Sequence, residues 1–178
     1  MTDAYELADA ARTEPPLAAG ELATLTGFLD FQRATFAWKC AGLTTEQLRA
    51  RPLLPSTLSL LGLTRHLAEV ERGWFRNVLN GEGHPGYWRR PDGGFAEWDA
   101  DGADPDEAFT VWRAECEHAR ELVAAAPSLD VLGHYRAPDG KETSYSLRWI
   151  VTHMIEEYAR HNGHADLVRE HLDGRTGE

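Results

Sequence analysis

The stretch HMIEEYARHNGHADLVRE, residues 153–170, decides the reading of the chain. An α-helix advances about 100° per residue, so side chains four apart point the same way. Glu157 and His161 therefore lie one above the other, with His164 three residues on and His153 one turn before Glu157. Three of the chain's eight histidines fall within this stretch. Packing alone accounts poorly for that density, and a divalent metal site uses it.

Working outward, this helix begins near Ser146 and runs to about Leu172, where Asp173-Gly174 ends it. Trp149, Ile150, Met154, Ala165 and Leu167 supply its apolar surface. Upstream, Pro105 to about Ala126 reads as a helix with Asp104 as N-cap, Pro105 in first position, and Phe109, Trp112, Cys116 and Leu122 in phase. A further helix spans roughly Leu58 to Leu79 on Leu60, Leu63, Leu67, Val70, Trp74 and Val78. The earliest runs from about Glu21 to Cys40, with Leu22, Leu25, Phe28, Leu29, Phe36 and Trp38 as apolar positions and Gly42 as its stop. Thr44 to Leu48 is a short hydroxyl-capped turn. Residues 129–145 hold a weak hairpin signal around Pro138-Asp139-Gly140. Four amphipathic helices are most simply buried as an all-α four-helix bundle, with a long loop between the second and third. That loop, residues 81–104, carries Tyr87, Trp88, Phe95 and Trp98. Long loops are often functional, so these rings either pin it or line a pocket mouth.

The 178 residues suit one domain: a loosely ordered segment over residues 1–20, then a single bundle over 21–178. Such a core needs no metal for folding, so a metal here is expected to be functional. A net charge of -11 argues against nucleic acid and against an anionic membrane surface. No apolar run reaches transmembrane length, and the acidic N-terminus does not read as a signal peptide. The expected compartment is the cytoplasm. Cys40 and Cys116 form no CxxC pair and are expected to be reduced and buried.

The third ligand must come from another helix. His66, in the apolar run GLTRHLAEVE, is the only histidine in the second long helix. Its coincidence with the cluster on the last helix favours a ligand over a core histidine. His66, Glu157 and His161 leave a position open for water or substrate, as in catalytic sites. The E-x3-H spacing is weak by itself. His153 and His164 are candidate catalytic residues that steer a ligand or relay a proton, and either is an alternative to Glu157. Glu156 is expected to pair with Arg160. Glu69 is a minor candidate for an outer partner of His66. Arg148 and Arg160 are candidate contacts for acidic groups of a substrate, with surface ion pairs as their simpler role.

Two stretches, SLLGLTRHLAEVERGWF (59–75) and SLRWIVTHMIEEYARHNGHADLVREHLDG (146–174), resemble the DinB/YfiT-like superfamily, and more closely its actinobacterial DUF664 branch. The similarity spans about Leu22 to Gly174. It implies a four-helix bundle with a metal held by His66, Glu157 and His161. Histidine is common in relatives at the position of Glu157; the His-Glu-His version resembles the metal-binding domain of mycothiol-dependent maleylpyruvate isomerase. Zn²⁺ is then the first expectation, with Ni²⁺, Fe²⁺ or Mn²⁺ as alternatives. The resemblance implies mycothiol as cosubstrate and a metal-dependent thiol S-transferase acting on small electrophiles. A mycothiol-dependent isomerase is one alternative, although that isomerase has a further C-terminal domain not found in this sequence. A non-catalytic metal or small-molecule binding stress protein is the other. A homodimer is the expected assembly.

Overall fold

The computed structural model describes residues 12–176. Helix α1 spans Glu21–Cys40 and the short α2 spans Thr45–Arg49. Helix α3 spans Leu60–Glu71 and runs on as a π-helical stretch, Arg72–Leu79. Helix α4 spans Pro105–Ala125, strands β1 and β2 span Leu132–Arg136 and Glu142–Ser146, and α5 spans Leu147–Asp173. Local chemistry sets these bounds. Side chains of Ser59, Asp104 and Ser146 accept hydrogen bonds from otherwise unpaired amides of α3, α4 and α5. Thr44 and Gln47 form a reciprocal capping box on α2. Gly174, in the left-handed conformation at φ 76°, closes α5.

The described residues are mostly helical, with an antiparallel hairpin of β1 and β2. Helix α1 packs along α5, α3 packs along α4, and α3 also meets α5. Leu29, Phe36, Leu60, Leu63, Leu67, Phe75, Phe109, Ile150, Met154 and Val168 fill the centre. Trp112 is also internal, its edge against Phe36 and its Nε1 donating to the Tyr158 hydroxyl at 2.8 Å. Leu22, Phe28, Trp38, Trp149 and Leu167 are exposed, although helical spacing alone assigned them to apolar surface. Trp38 falls on the side of α1 away from Leu29, Phe36 and Cys40, and Trp149 and Leu167 fall on the side of α5 away from Met154, Tyr158 and Ala165; Leu22 is in phase but lies in the first turn of α1.

A charged network crosses this core. Arg33 donates from Nε and Nη2 to the two oxygens of Glu71 at 2.8 and 2.6 Å, and the Tyr158 hydroxyl donates to Glu71 at 2.7 Å. Glu71 is fully buried, so these donors supply what water would. Cys40 and Cys116 are buried free thiols. Burial pushes Cys40 up to about 12 and raises Cys116 strongly, the charge of Glu71 adding to the latter.

The second long helix is not α-helical to its end. The chain changes to π spacing at Arg72, where Gly73 adds conformational freedom and Arg72 and Arg76 both reach Glu115 of α4. Of the N-terminal segment expected to be loosely ordered, residues 1–11 lie outside the described residues. Beyond them, the Arg12 guanidinium lies over the Phe31 and Trp38 rings, and Pro16 abuts α1 at Gly27. Among the described residues, no helix is long and apolar enough to cross a membrane.

Candidate metal centre

Three side chains from α3 and α5 converge on one point. His66 Nε2 lies 3.1 Å from Glu157 Oε1, and His161 Nε2 lies 3.3 Å from the same oxygen. One ligand atom from each of the three residues can be chosen so that all lie within 4.8 Å of one another. The helical repeat stacks Glu157 below His161, and the crossing of α3 over α5 delivers His66. Tetrahedral ligands at about 2.0–2.1 Å from a zinc ion stand roughly 3.3 Å apart, so the two nitrogen–oxygen distances fit a divalent cation. Hydrogen bonds from His161, then His66, hold the Glu157 carboxyl well below the usual carboxylate range, against its burial.

The long loop closes over this point. Trp98 stacks on His66, with centroids 4.6 Å apart and planes 25° from parallel. Its neighbour Glu97 is buried, and Glu97 Oε1 lies 4.0 Å from His66 Nδ1. Glu97 Oε2 has no hydrogen-bond partner among the described residues. On the α5 side, His164 Nδ1 stands 3.2 Å from His161 Nδ1. Burial first, then the charges of His161 and Arg160, lower the His164 pKa. Arg160 approaches Glu157 Oε2 at 3.4 Å and also pairs with Glu156.

Other candidates go elsewhere. His153 is drawn into an aromatic group, stacked on Trp149 and edge-on to Trp74, and is not part of the convergence. Arg148 does not approach the three donors. It bridges Glu21 and Asp130, tying the start of α5 to the start of α1. Glu69 accepts from the Trp88 amide at 2.9 Å, which fastens the loop rather than His66. Tyr87 likewise pins the loop, donating to Glu115. Glu97 was not anticipated: an acid beside a tryptophan in an irregular loop has no periodicity to betray it. The one available signal was the density of aromatics around it.

A cavity of about 740 Å³ opens between α1 and α4, lined by Arg33, Trp112, Cys116 and Arg120, among others. None of the three converging residues lines it. Volume therefore does not mark the centre; donor convergence does.

No curated protein and no solved structure matches the chain. A family model does: the description is Mycothiol-S-transferase, and it matches residues 24–174. That span begins within α1, passes through His66 and its loop, and ends at the glycine that closes α5. The chain belongs to the mycothiol-S-transferase family.

Proposed function

We propose that the protein is a metal-dependent transferase that joins mycothiol to a small electrophile, on a four-helix-bundle scaffold of the DinB kind. In this reading His66, Glu157 and His161 hold a divalent cation, Zn²⁺ first, with Ni²⁺, Fe²⁺ and Mn²⁺ compatible with the same donors. The observation that carries it is the approach of two imidazole nitrogens to one carboxylate oxygen, at 3.1 and 3.3 Å, inside a member of this family. The mixed His-Glu-His set supports a place in the DUF664 branch, beside the metal-binding domain of mycothiol-dependent maleylpyruvate isomerase.

When bound, the ion lowers the pKa of the substrate thiol and so favours the thiolate at neutral pH. The chain's own residues prepare and orient the site. A metal-ligating Nε2 must carry its lone pair outward, which leaves the hydrogen on Nδ1. With a cation held at Nε2 of both rings, Glu97 would face the Nδ1 hydrogen of His66 and His164 Nδ1 would face that of His161. Glu157 supplies one negative charge, and Trp98 covers one side of His66 against water. In the transfer, a sulfur–carbon bond forms as the bond from carbon to the leaving group breaks. The electron pair departs with the leaving group, and the thiol proton goes to solvent. Arg160, at the rim beside Glu157, is placed for an anionic group on the electrophile.

Metal-loaded protein incubated with mycothiol and a panel of electrophiles tests the reading. We expect thiol consumption with an adduct of summed mass, less any leaving group, and none above background for His66→Ala. An unchanged substrate mass with an absolute need for thiol would mark an isomerase. Binding without conversion would mark a binding protein. The reading includes a cytoplasmic homodimer, and a constant mass near 19.9 kDa in light scattering would reject the dimer.

A further inference from the structure

One built feature beside the metal centre is not used by the chemistry above. Trp74, Tyr145, Trp149 and His153 form a continuous aromatic group. Tyr145 and Trp149 have centroids 4.7 Å apart, and Trp74 lies 5.1 Å from each. His153 stacks on Trp149 at 5.0 Å and 17°, and lies 4.9 Å from Trp74. The group comes from three elements, and two backbone features assemble it. The π-helical stretch carries Trp74, and such stretches are frequent at functional sites. The hairpin is clamped to that stretch at Gly133, where an added Cβ would meet Val78 O at 2.6 Å. Gly133 is the cross-strand partner of Tyr145, so the clamp sets Tyr145 against Trp74.

The group is not sealed. Trp149 is 44% exposed, and the His153 side chain keeps 27% of its surface in solvent. Its place along α5 is fixed by the helical rise. His153 and Trp149 precede Glu157 by four and eight residues, hence by roughly 6 and 12 Å along the axis. A group reacting at the metal centre has to lie within about 3–3.5 Å of the sulfur. A molecule whose sulfur sat at His66, Glu157 and His161 would therefore reach the aromatic group only with its far end.

We propose that Trp74, Tyr145, Trp149 and His153 form the subsite for the glucosaminyl and inositol rings of the thiol substrate. This rests on the mycothiol reading. In that thiol a cysteinyl unit, spanning roughly 3.5 Å when extended, precedes two saturated six-membered rings. Such rings present C–H faces to the electron-rich faces of tryptophan and tyrosine. Their hydroxyls need polar neighbours at the rim, which Glu156 and His153, 3.6 Å apart, provide. A small electrophile does not reach this far.

Two readouts test the subsite. In turnover, Trp149→Ala raises KM for mycothiol about tenfold, while KM for N-acetylcysteine moves less than twofold. Trp149→Phe restores most of the difference, and Trp38→Ala, a change on α1, alters neither. Equal shifts for both thiols, or a shift confined to the electrophile, would overturn the proposal. The second readout needs no turnover. The sulfur-free glucosaminyl-inositol fragment shows saturation transfer by NMR with the wild-type protein and with Trp38→Ala, and loses it with Trp149→Ala. No transfer with the wild type would overturn the subsite. Transfer that depends on Trp149, in a protein that converts no electrophile, would leave the subsite standing and remove the transferase reading.

Discussion

Glu97 and His66 stand face to face, a buried carboxylate oxygen 4.0 Å from the ring nitrogen directed away from Glu157. The second oxygen of Glu97 is buried without a partner among the described residues, which is costly unless the carboxylate has a task. Orienting His66 toward a cation, as proposed, would be such a task. Glu97→Gln keeps the shape and removes the charge, and is expected to weaken zinc binding by about 10- to 100-fold. Competition against a chromophoric chelator measures it. Unchanged affinity, in a variant that unfolds like the wild type, would contradict the role.

The core network sets a different expectation. Glu71 is the shared acceptor of Arg33 and Tyr158. Glu71→Ala leaves the buried Arg33 guanidinium with half-exposed Asp30 as its remaining counter-charge and is expected to cost about 3 kcal/mol of stability. Replacing Arg33 and Glu71 together with methionine is expected to cost less than Glu71→Ala alone. Urea unfolding at neutral pH measures both. A double variant no more stable than the single one would place the network's value in packing rather than in charge balance.

Acid sensitivity of the metal-free protein follows from depressed carboxyls. Glu82 is pushed down to about 2, first by a hydrogen bond from Asn80, with His118 and Arg76 adding to it. Glu157 is held well below its ordinary range by His161 and His66. Below their unfolded value of 4.5 the unfolded state binds more protons than the native one, so stability rises with pH there. These contributions are complete above pH 4.5 and are lost as pH falls toward the folded values. Urea midpoints should be flat between about pH 5 and 6 on this account and should drop between pH 4.5 and 3. Glu82→Gln should make that drop shallower. An equally steep drop in Glu82→Gln would contradict the assignment.

The protein's own thiols should be silent. Cys40, pushed up to about 12, and Cys116, raised by burial and Glu71, are protonated at pH 8. A thiol-reactive chromogenic disulfide should label neither in the native state and both in denaturant. Rapid native labelling accompanied by loss of turnover would point instead to a cysteine nucleophile.

Much of the fold was legible because its signals are local. Apolar spacing and Gly42 bracket α1, Asp104-Pro105 opens α4, and Ser146 and Gly174 bracket α5. His66, Glu157 and His161 could be picked out because two share a helix face and the third is a lone histidine in an apolar run. Other features depend on tertiary contact. The π register after Glu71 leaves little trace in side-chain periodicity beyond Gly73. Arg148 finds Glu21, far away in sequence, and His153 meets Trp74 of the π-helical stretch as well as Trp149 one turn before it on α5. Glu97 reaches His66 only because the loop folds back over α3.

The proposed activity depends on a metal at one place. Crystals of protein purified without added metal, measured on both sides of the zinc absorption edge, would locate it. The expected result is one anomalous peak about 2.0–2.2 Å from His66 Nε2, Glu157 Oε1 and His161 Nε2. The peak should vanish in His66→Ala. No peak there after zinc is supplied at saturation, or a peak held by other residues with these three turned away, would contradict it.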